Sequence, residues 1–161
     1  MKTIITIQHT ESIHHTNGMV GSWTDWDLSE LGKEQAQRIG EKMAKELRER
    51  NLGKCVGKSV QWLKENIECQ EKTIDDRLFS DAESRRDEWN RLLPFFREIM
   101  ESDDENIIIV SHGDLLSVFN TMFLGLDVET LNNAEIFGLA GGVSRMFENN
   151  EGKRFIKKIS D

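Results

Sequence analysis

Asn106-Ile107-Ile108-Ile109-Val110-Ser111-His112-Gly113-Asp114 is the stretch on which the fold turns. Its short β-branched run reads as a buried strand, and it opens onto an amphipathic helix from Leu115 to Leu124. The N-terminus echoes it: Thr3-Ile4-Ile5-Thr6-Ile7 reads as a second buried strand and ends in Gln8-His9-Thr10-Glu11. In open parallel sheets ligands bind outside the carboxyl ends of the strands, so both strand–histidine junctions should face one crevice.

Working outward, a loop of mixed composition runs from Ser12 to Asp27 and carries His14, His15, Gly18, Gly21, Trp23 and Trp26. Loops of this length are often functional. Ser29 is a plausible N-cap for an amphipathic helix through Leu31, Ala36, Ile39, Met43 and Leu47. A shorter helix is expected to hold Val60, Leu63 and Ile67, and another begins near Arg85, with Pro94 expected to kink or restart it. The chain closes with expected strands at Ile136 to Leu139, Val143 to Glu148 and Arg154 to Ile159.

The 161 residues suit one domain over 1–161, with no repeat or linker. No apolar run is long enough to span a bilayer, so no membrane partner is expected. Met1 leads directly into strand residues without a secretion signal, which points to the cytoplasm. Cys55 and Cys69 form no C-x-x-C pair and read as reduced thiols. A formal net charge of -8 argues against nucleic acid as the main partner, although an anionic small molecule can still meet a local site of opposite character.

Imidazole can accept a phosphoryl group and release it to water, dividing a difficult displacement into two easier steps. A second imidazole could stabilise the transferring oxygens. The helix that follows His112 offers unpaired backbone donors to a phosphate, and Gly113 permits close approach. The plain alternative is that both histidines only cap strand ends.

These residues resemble the histidine phosphatases, the phosphoglycerate mutase-like superfamily. Gln8-His9-Thr10-Glu11 stands where that family has Arg-His-Gly-Glu. Gly21-Ser22-Trp23-Thr24-Asp25 and the segment Leu28 to Ala36 resemble its loop and first helix, Leu47-Arg48-Glu49 its Leu-Arg-Glu segment, and Val110-Ser111-His112-Gly113 its second-histidine motif. The resemblance implies a three-layer α/β/α fold with a mostly parallel central sheet. It also implies His9 as nucleophile, Glu49 as the acid that later activates water, and His112 as the group steadying the transition state. A small phosphorylated substrate follows from it, and neither a metal nor an organic cofactor does. Taken alone, Glu49 would read as a solvated helix residue.

Three departures bear on activity. The family's first arginine is replaced by Gln8, which donates hydrogen bonds but no charge, and the family's loop asparagine aligns with His15. The family's Ser-Ser-Asp-x-x-Arg-Ala segment, with its strand, its helix and its second phosphate-binding arginine, has no counterpart near Leu47. A true deletion and an omitted stretch both fit that pattern. A deletion would leave strand backbone to be paired by a neighbour or by a second copy in a homodimer. None of Arg48, Arg50, Arg85, Arg86 and Arg145 sits in a family arginine motif.

The sequence therefore supports a phosphomonoester phosphatase first, with a phosphoglycerate mutase less favoured. The alternative from another class is a catalytically impaired phospho-ligand binding or regulatory module of the same fold. A metal hydrolase built on His9, Glu11, His14 and His15 ranks lower. Trp23 and Trp26 are candidate pocket residues, and Ala140-Gly141-Gly142-Val143 is a weak candidate for backbone contact with phosphate.

Overall fold

A computed structural model of the chain describes residues 1–9, 11–23, 26–30, 33 and 45–159. Four strands form one sheet: β1 (Lys2–Gln8), β2 (Asn106–Ser111), β3 (Val143–Glu148) and β4 (Arg154–Lys158), in the order β2-β1-β3-β4. β1 and β2 pair in parallel, while β3 pairs antiparallel with both β1 and β4. Three strands thus share a direction and β3 alone opposes them, so the sheet is mixed at the level of its pairings.

Alternation along the strands creates one core face. Ile4 and Thr6 are aligned with Ile107 and Ile109 on one side and with Met146 and Ser144 on the other. Ile4, Ile109 and Met146 are buried there against Leu115, Phe119 and Leu92. The opposite face is partly open: Ile108 is 64% exposed and Val110 37%. Reading β2 as buried on both faces therefore fails, because among the described residues it is an edge strand with nothing beyond it.

Among the described residues, four α-helices have both ends defined: α1 (His14–Asn17), α2 (Val60–Asn66), α3 (Arg85–Glu101) and α4 (Gly113–Phe123). α3 begins in a capping box, in which the Ser84 hydroxyl accepts from Asp87 N–H while Asp87 accepts from Ser84 N–H. It runs through Pro94 without a break. Both Pro94 and Asn90 are exposed, so water can serve the carbonyl that loses its helical donor. α4 is buried from Leu115 to Phe123 rather than amphipathic. It contacts α3, through Phe96 and Phe119 edge to face at 5.5 Å, and β1.

The expected strand at Ile136 to Leu139 does not form. Instead α4 holds that segment: Ser117 Oγ accepts from Ile136 N–H at 3.0 Å, and Asn120 Nδ2 donates to Ile136 O at 2.9 Å. Ser29 begins a helix as expected, since Glu30 and Lys33 are helical and Lys33 N–H donates to Ser29 O. The remaining expected apolar stripe, from Leu31 to Met43, lies outside the described residues. Leu47 itself packs on the main core, and its carbonyl accepts from Ser111 Oγ at 2.7 Å, which moors the chain at the end of β2.

A second cluster of Val20, Cys55, Phe79 and Ala82 supports the loops beside the strand ends. Gly53, at φ +60, lies so close to Asp81 and Ala82 that a Cβ would collide with both. Cys55 is buried, Cys69 is exposed, and both thiols are free. No helix among the described residues is long and apolar enough to cross a membrane.

Candidate active site

The parallel register aligns Gln8 with Ser111, so β1 and β2 release their histidines at the same level. His9 N–H donates to Ser111 O at 2.6 Å. The imidazoles of His9 and His112 lie 4.5 Å apart between centroids, with their planes inclined by 59°. His112 is the N-cap residue of α4 and accepts Leu116 N–H through its carbonyl. Burial first, then the neighbouring imidazoles, lowers the pKa of His112 to about 3. It is therefore neutral near pH 7.

The loop that follows β1 turns back through α1 and adds two more imidazoles. His15 stacks on His9 at 5.3 Å, His14 lies 6.4 Å from His9, and the two are 3.9 Å apart. The loop is closed by an antiparallel bridge between Ser12 and Leu28 and by Ile13 N–H donating to Asp27 O. His14 Nδ1 pairs with Ser12 Oγ at 2.6 Å. Its ring rests on Gly21, where any Cβ would fall 2.4 Å from His14 Nε2. Burial, reinforced by His15 and His9, lowers the pKa of His14 to about 4.

Glu49 stands on the loop that follows Leu47. Arg50 N–H donates to its Oε1 at 3.0 Å, and its own carbonyl accepts from Trp23 Nε1 at 2.7 Å. Ser22 fastens the same segment, donating to Arg50 O and accepting from Leu52 N–H. Burial, with the Asp114 charge as second cause, raises the pKa of Glu49 to about 7, against the pull of the Arg50 and Leu115 N–H groups and of Arg85. At neutral pH the carboxyl thus exists in both protonation states, as a group that gives and takes protons requires.

Gln8 reaches across to the start of α4, and a Cβ on Gly113 would lie 3.3 Å from its Nε2. Its Oε1 is buried without a hydrogen-bond partner. Of the arginines weighed from sequence, four are committed elsewhere, and Arg145, on β3, is not on the cleft lining. Arg50 pairs with Glu71 and Asp114, Arg85 with Glu88, Asp114 and Glu135, and Arg86 with Asp75 and Glu129. Arg48 lies over the Trp23 ring.

Gln8, His9, His15, Glu49, His112 and Gly113 all line one cleft of about 450 Å³, together with His14, Ser12, Ser22, Trp26, Leu28, Asp114, Phe137 and Gly138. Trp26 is thus a cleft residue and Trp23 a tether. The Gly141-Gly142 turn serves the strand end: Gly141 N–H lies between Gln8 O and His9 O, and Gly142 O accepts from Gln8 N–H. Glu11, named in the metal reading, accepts Ser29 Oγ at 2.6 Å. Among the described residues no three metal-ligating side chains are grouped to hold an ion.

Beneath the cleft, Glu88 is fully buried. Burial raises its pKa to about 8, with Arg85 as the main opposing influence. A carboxyl shifted upward favours folding below its unfolded pKa and loses that advantage as pH rises through the folded value. Glu88→Gln is therefore expected to raise Tm relative to the parent at pH 8, with a smaller gain at pH 5. Thermal unfolding at both pH values checks this, and an equal difference at the two would contradict it.

Comparison with known proteins bears on the family and the fold. The model of the histidine phosphatase superfamily (branch 1) matches residues 42–161. A 2,3-bisphosphoglycerate-dependent phosphoglycerate mutase of Porphyromonas gingivalis is 48% identical over 46 residues, a stretch covering 29% of this chain and only 18% of the mutase. Among solved structures, a mycobacterial glucosyl-3-phosphoglycerate phosphatase superposes with a TM-score of 0.80 at 16% identity, covering 99% of both chains. The alpha-ribazole phosphatase of Shigella flexneri gives 0.78 at 16% identity, covering 99% of this chain and 96% of its own. At these identities the likeness to solved structures is one of fold.

Proposed function

Because this chain belongs to the histidine phosphatase superfamily, we propose that it is a phosphomonoester phosphatase acting on a small phosphorylated substrate through a phosphohistidine at His9. The observation that carries this reading is the His9–His112 pair, 4.5 Å apart, in a cleft shared with a carboxyl whose pKa is about 7.

An unprotonated ring nitrogen of His9 attacks phosphorus, and the ester P–O bond breaks as the N–P bond forms. The leaving oxygen takes the proton of Glu49. The carboxylate so formed then removes a proton from water, whose oxygen displaces His9 and releases inorganic phosphate. Neutral His112 donates a hydrogen bond to the transferring oxygens, as do the Gln8 amide, His15 and the N–H groups that open α4 at Gly113.

A second reading, an impaired binding or regulatory module, is favoured by one observation: the described residues lining the cleft include no arginine or lysine. Turnover separates the two. Purified chain offered a panel of phosphomonoesters is expected to release inorganic phosphate, at a rate unchanged by a chelator. Binding without release would favour the module.

The same shortage of charge gives a gain-of-function prediction. Gln8→Arg places a guanidinium beside Gly113 and is expected to raise kcat/KM about tenfold, roughly 1.4 kcal/mol of transition-state stabilisation. Steady-state kinetics checks it, and an unchanged or lower kcat/KM would show that phosphate does not lie against residue 8.

A further inference from the structure

Four imidazoles converge in the cleft; the proposed chemistry uses His9 as nucleophile and His112 and His15 as neutral donors, and gives His14 no part. His14 and His15 touch at 3.9 Å and lie 6.4 and 5.3 Å from His9. A dianion entering here meets no described lysine or arginine side chain on the lining. Arg50 and Arg85 are paired with carboxylates, Arg48 is drawn over an aromatic ring, and Arg91, whose charge is felt at His112, is paired with Glu83. Among the described lining residues, the histidines are the groups able to acquire a balancing positive charge.

The surroundings of His14 and His15 suit such a change. His15 Nδ1 lies 3.0 Å from Ser12 N and 3.2 Å from Ser12 O. When that nitrogen is unprotonated it accepts the Ser12 N–H, and when protonated it donates to the Ser12 carbonyl. Either state is satisfied, and Nε2 is left to a ligand. The Ser12 hydroxyl, 2.6 Å from His14 Nδ1, can likewise reverse from donor to acceptor. The groups around the pair are His9 just after β1, His112 and Asp114 at the start of α4, and Glu49 from the loop after Leu47, with Arg91 of α3 acting on His112. Burial, then the imidazole neighbours, oppose a proton on His14. A bound dianion reverses that balance, since an opposite charge at contact favours the protonated ring.

We propose that the His14–His15 pair takes up a proton together with the anion, so that this cleft supplies by protonation the positive charge that an arginine would supply permanently. The proposal rests on reading the cleft as a phosphate site, and deepens that reading by adding His14 as an anion-binding residue. Anion binding here is linked to pH: affinity is greatest where the pair is protonated in the complex, and falls as pH rises and the proton must be surrendered.

Sulfate is the probe of choice, because it stays a dianion throughout the useful range while phosphate does not. Calorimetric titration of the full chain with sulfate between pH 5.5 and 7.5, in buffers of different ionisation enthalpy, reads affinity and protons together. The expected result is net proton uptake and an affinity that weakens as pH rises, by up to about tenfold per pH unit for each whole proton taken up. His14→Gln and His15→Gln should each reduce the uptake, and the double variant should flatten the pH dependence. Circular dichroism verifies that each variant keeps its fold, and the single variants carry the test if the double one does not.

Sulfate affinity independent of pH, no sulfate binding at pH 5.5, or a slope undiminished in the folded variants would overturn the proposal. Failure of the phosphatase reading looks different: proton-linked sulfate binding in a chain that turns over no phosphomonoester would reject the catalysis and leave this linkage standing.

Discussion

Changing His9 to alanine is expected to lower kcat for phosphomonoester hydrolysis by roughly ten thousand- to a million-fold, the range seen when a covalent nucleophile is removed. The side chain does what no neighbour can replace. His112 is held as the N-cap of α4, and His15 is tethered through Nδ1 to Ser12. Neither occupies the end of β1. The fold should survive, because the backbone of residue 9 keeps its bond to Ser111 O whatever the side chain. Steady-state assays on a variant with unaltered circular dichroism check this. A residual rate within tenfold of the parent would mean that water attacks the substrate directly.

Glu49→Gln carries the second largest expected effect, a loss of about a hundred- to ten thousand-fold in kcat, the usual yield of a positioned acid or base. Glutamine preserves the hydrogen bond from Arg50 N–H and most of the packing, so the loss isolates proton transfer. The pH profile adds a test that geometry alone would not move. The acid form is needed when the leaving oxygen departs, so kcat of the parent, read at saturating substrate where the pH dependence of binding does not enter, should fall as pH rises through about 7. In Glu49→Gln that descending limb should vanish. Its persistence would assign the titration to another group.

Much of the site could be read from strand patterning. Two β-branched runs ending in Gln8-His9 and Ser111-His112 predict a convergence that the parallel register of β1 and β2 provides. Gly113 could be read too, because it follows a histidine and opens a helix. Glu49 could not be found by periodicity. It lies in a loop, and only the likeness of Leu47-Arg48-Glu49 to a family motif drew notice to it. Its raised pKa depends on Asp114 and on burial, which are tertiary facts. His14 figures only in the metal reading and not as a phosphate-binding residue, since its place is set by Gly21 and Ser12 in a loop without a period.

The misread elements share a cause. Ile136 to Leu139 has strand composition, but Ser117 and Asn120 of α4 capture its backbone before a sheet can. Pro94 suggested a kink, yet it falls on the exposed side of α3, where water substitutes for the missing donor. Ile108 and Val110 promised burial that β2, an edge among the described residues, does not supply. In each case the neighbour that decides the outcome is distant in sequence.

The most direct measurement is rapid acid-free quenching of the chain during turnover of a labelled phosphomonoester, followed by peptide mapping. A phosphohistidine is labile to acid and stable to base, so the label should sit on the peptide bearing His9, disappear on acid treatment, and be absent from His9→Ala. Label on a different residue, or none in a chain that is releasing phosphate with a slow dephosphorylation step, would contradict the account.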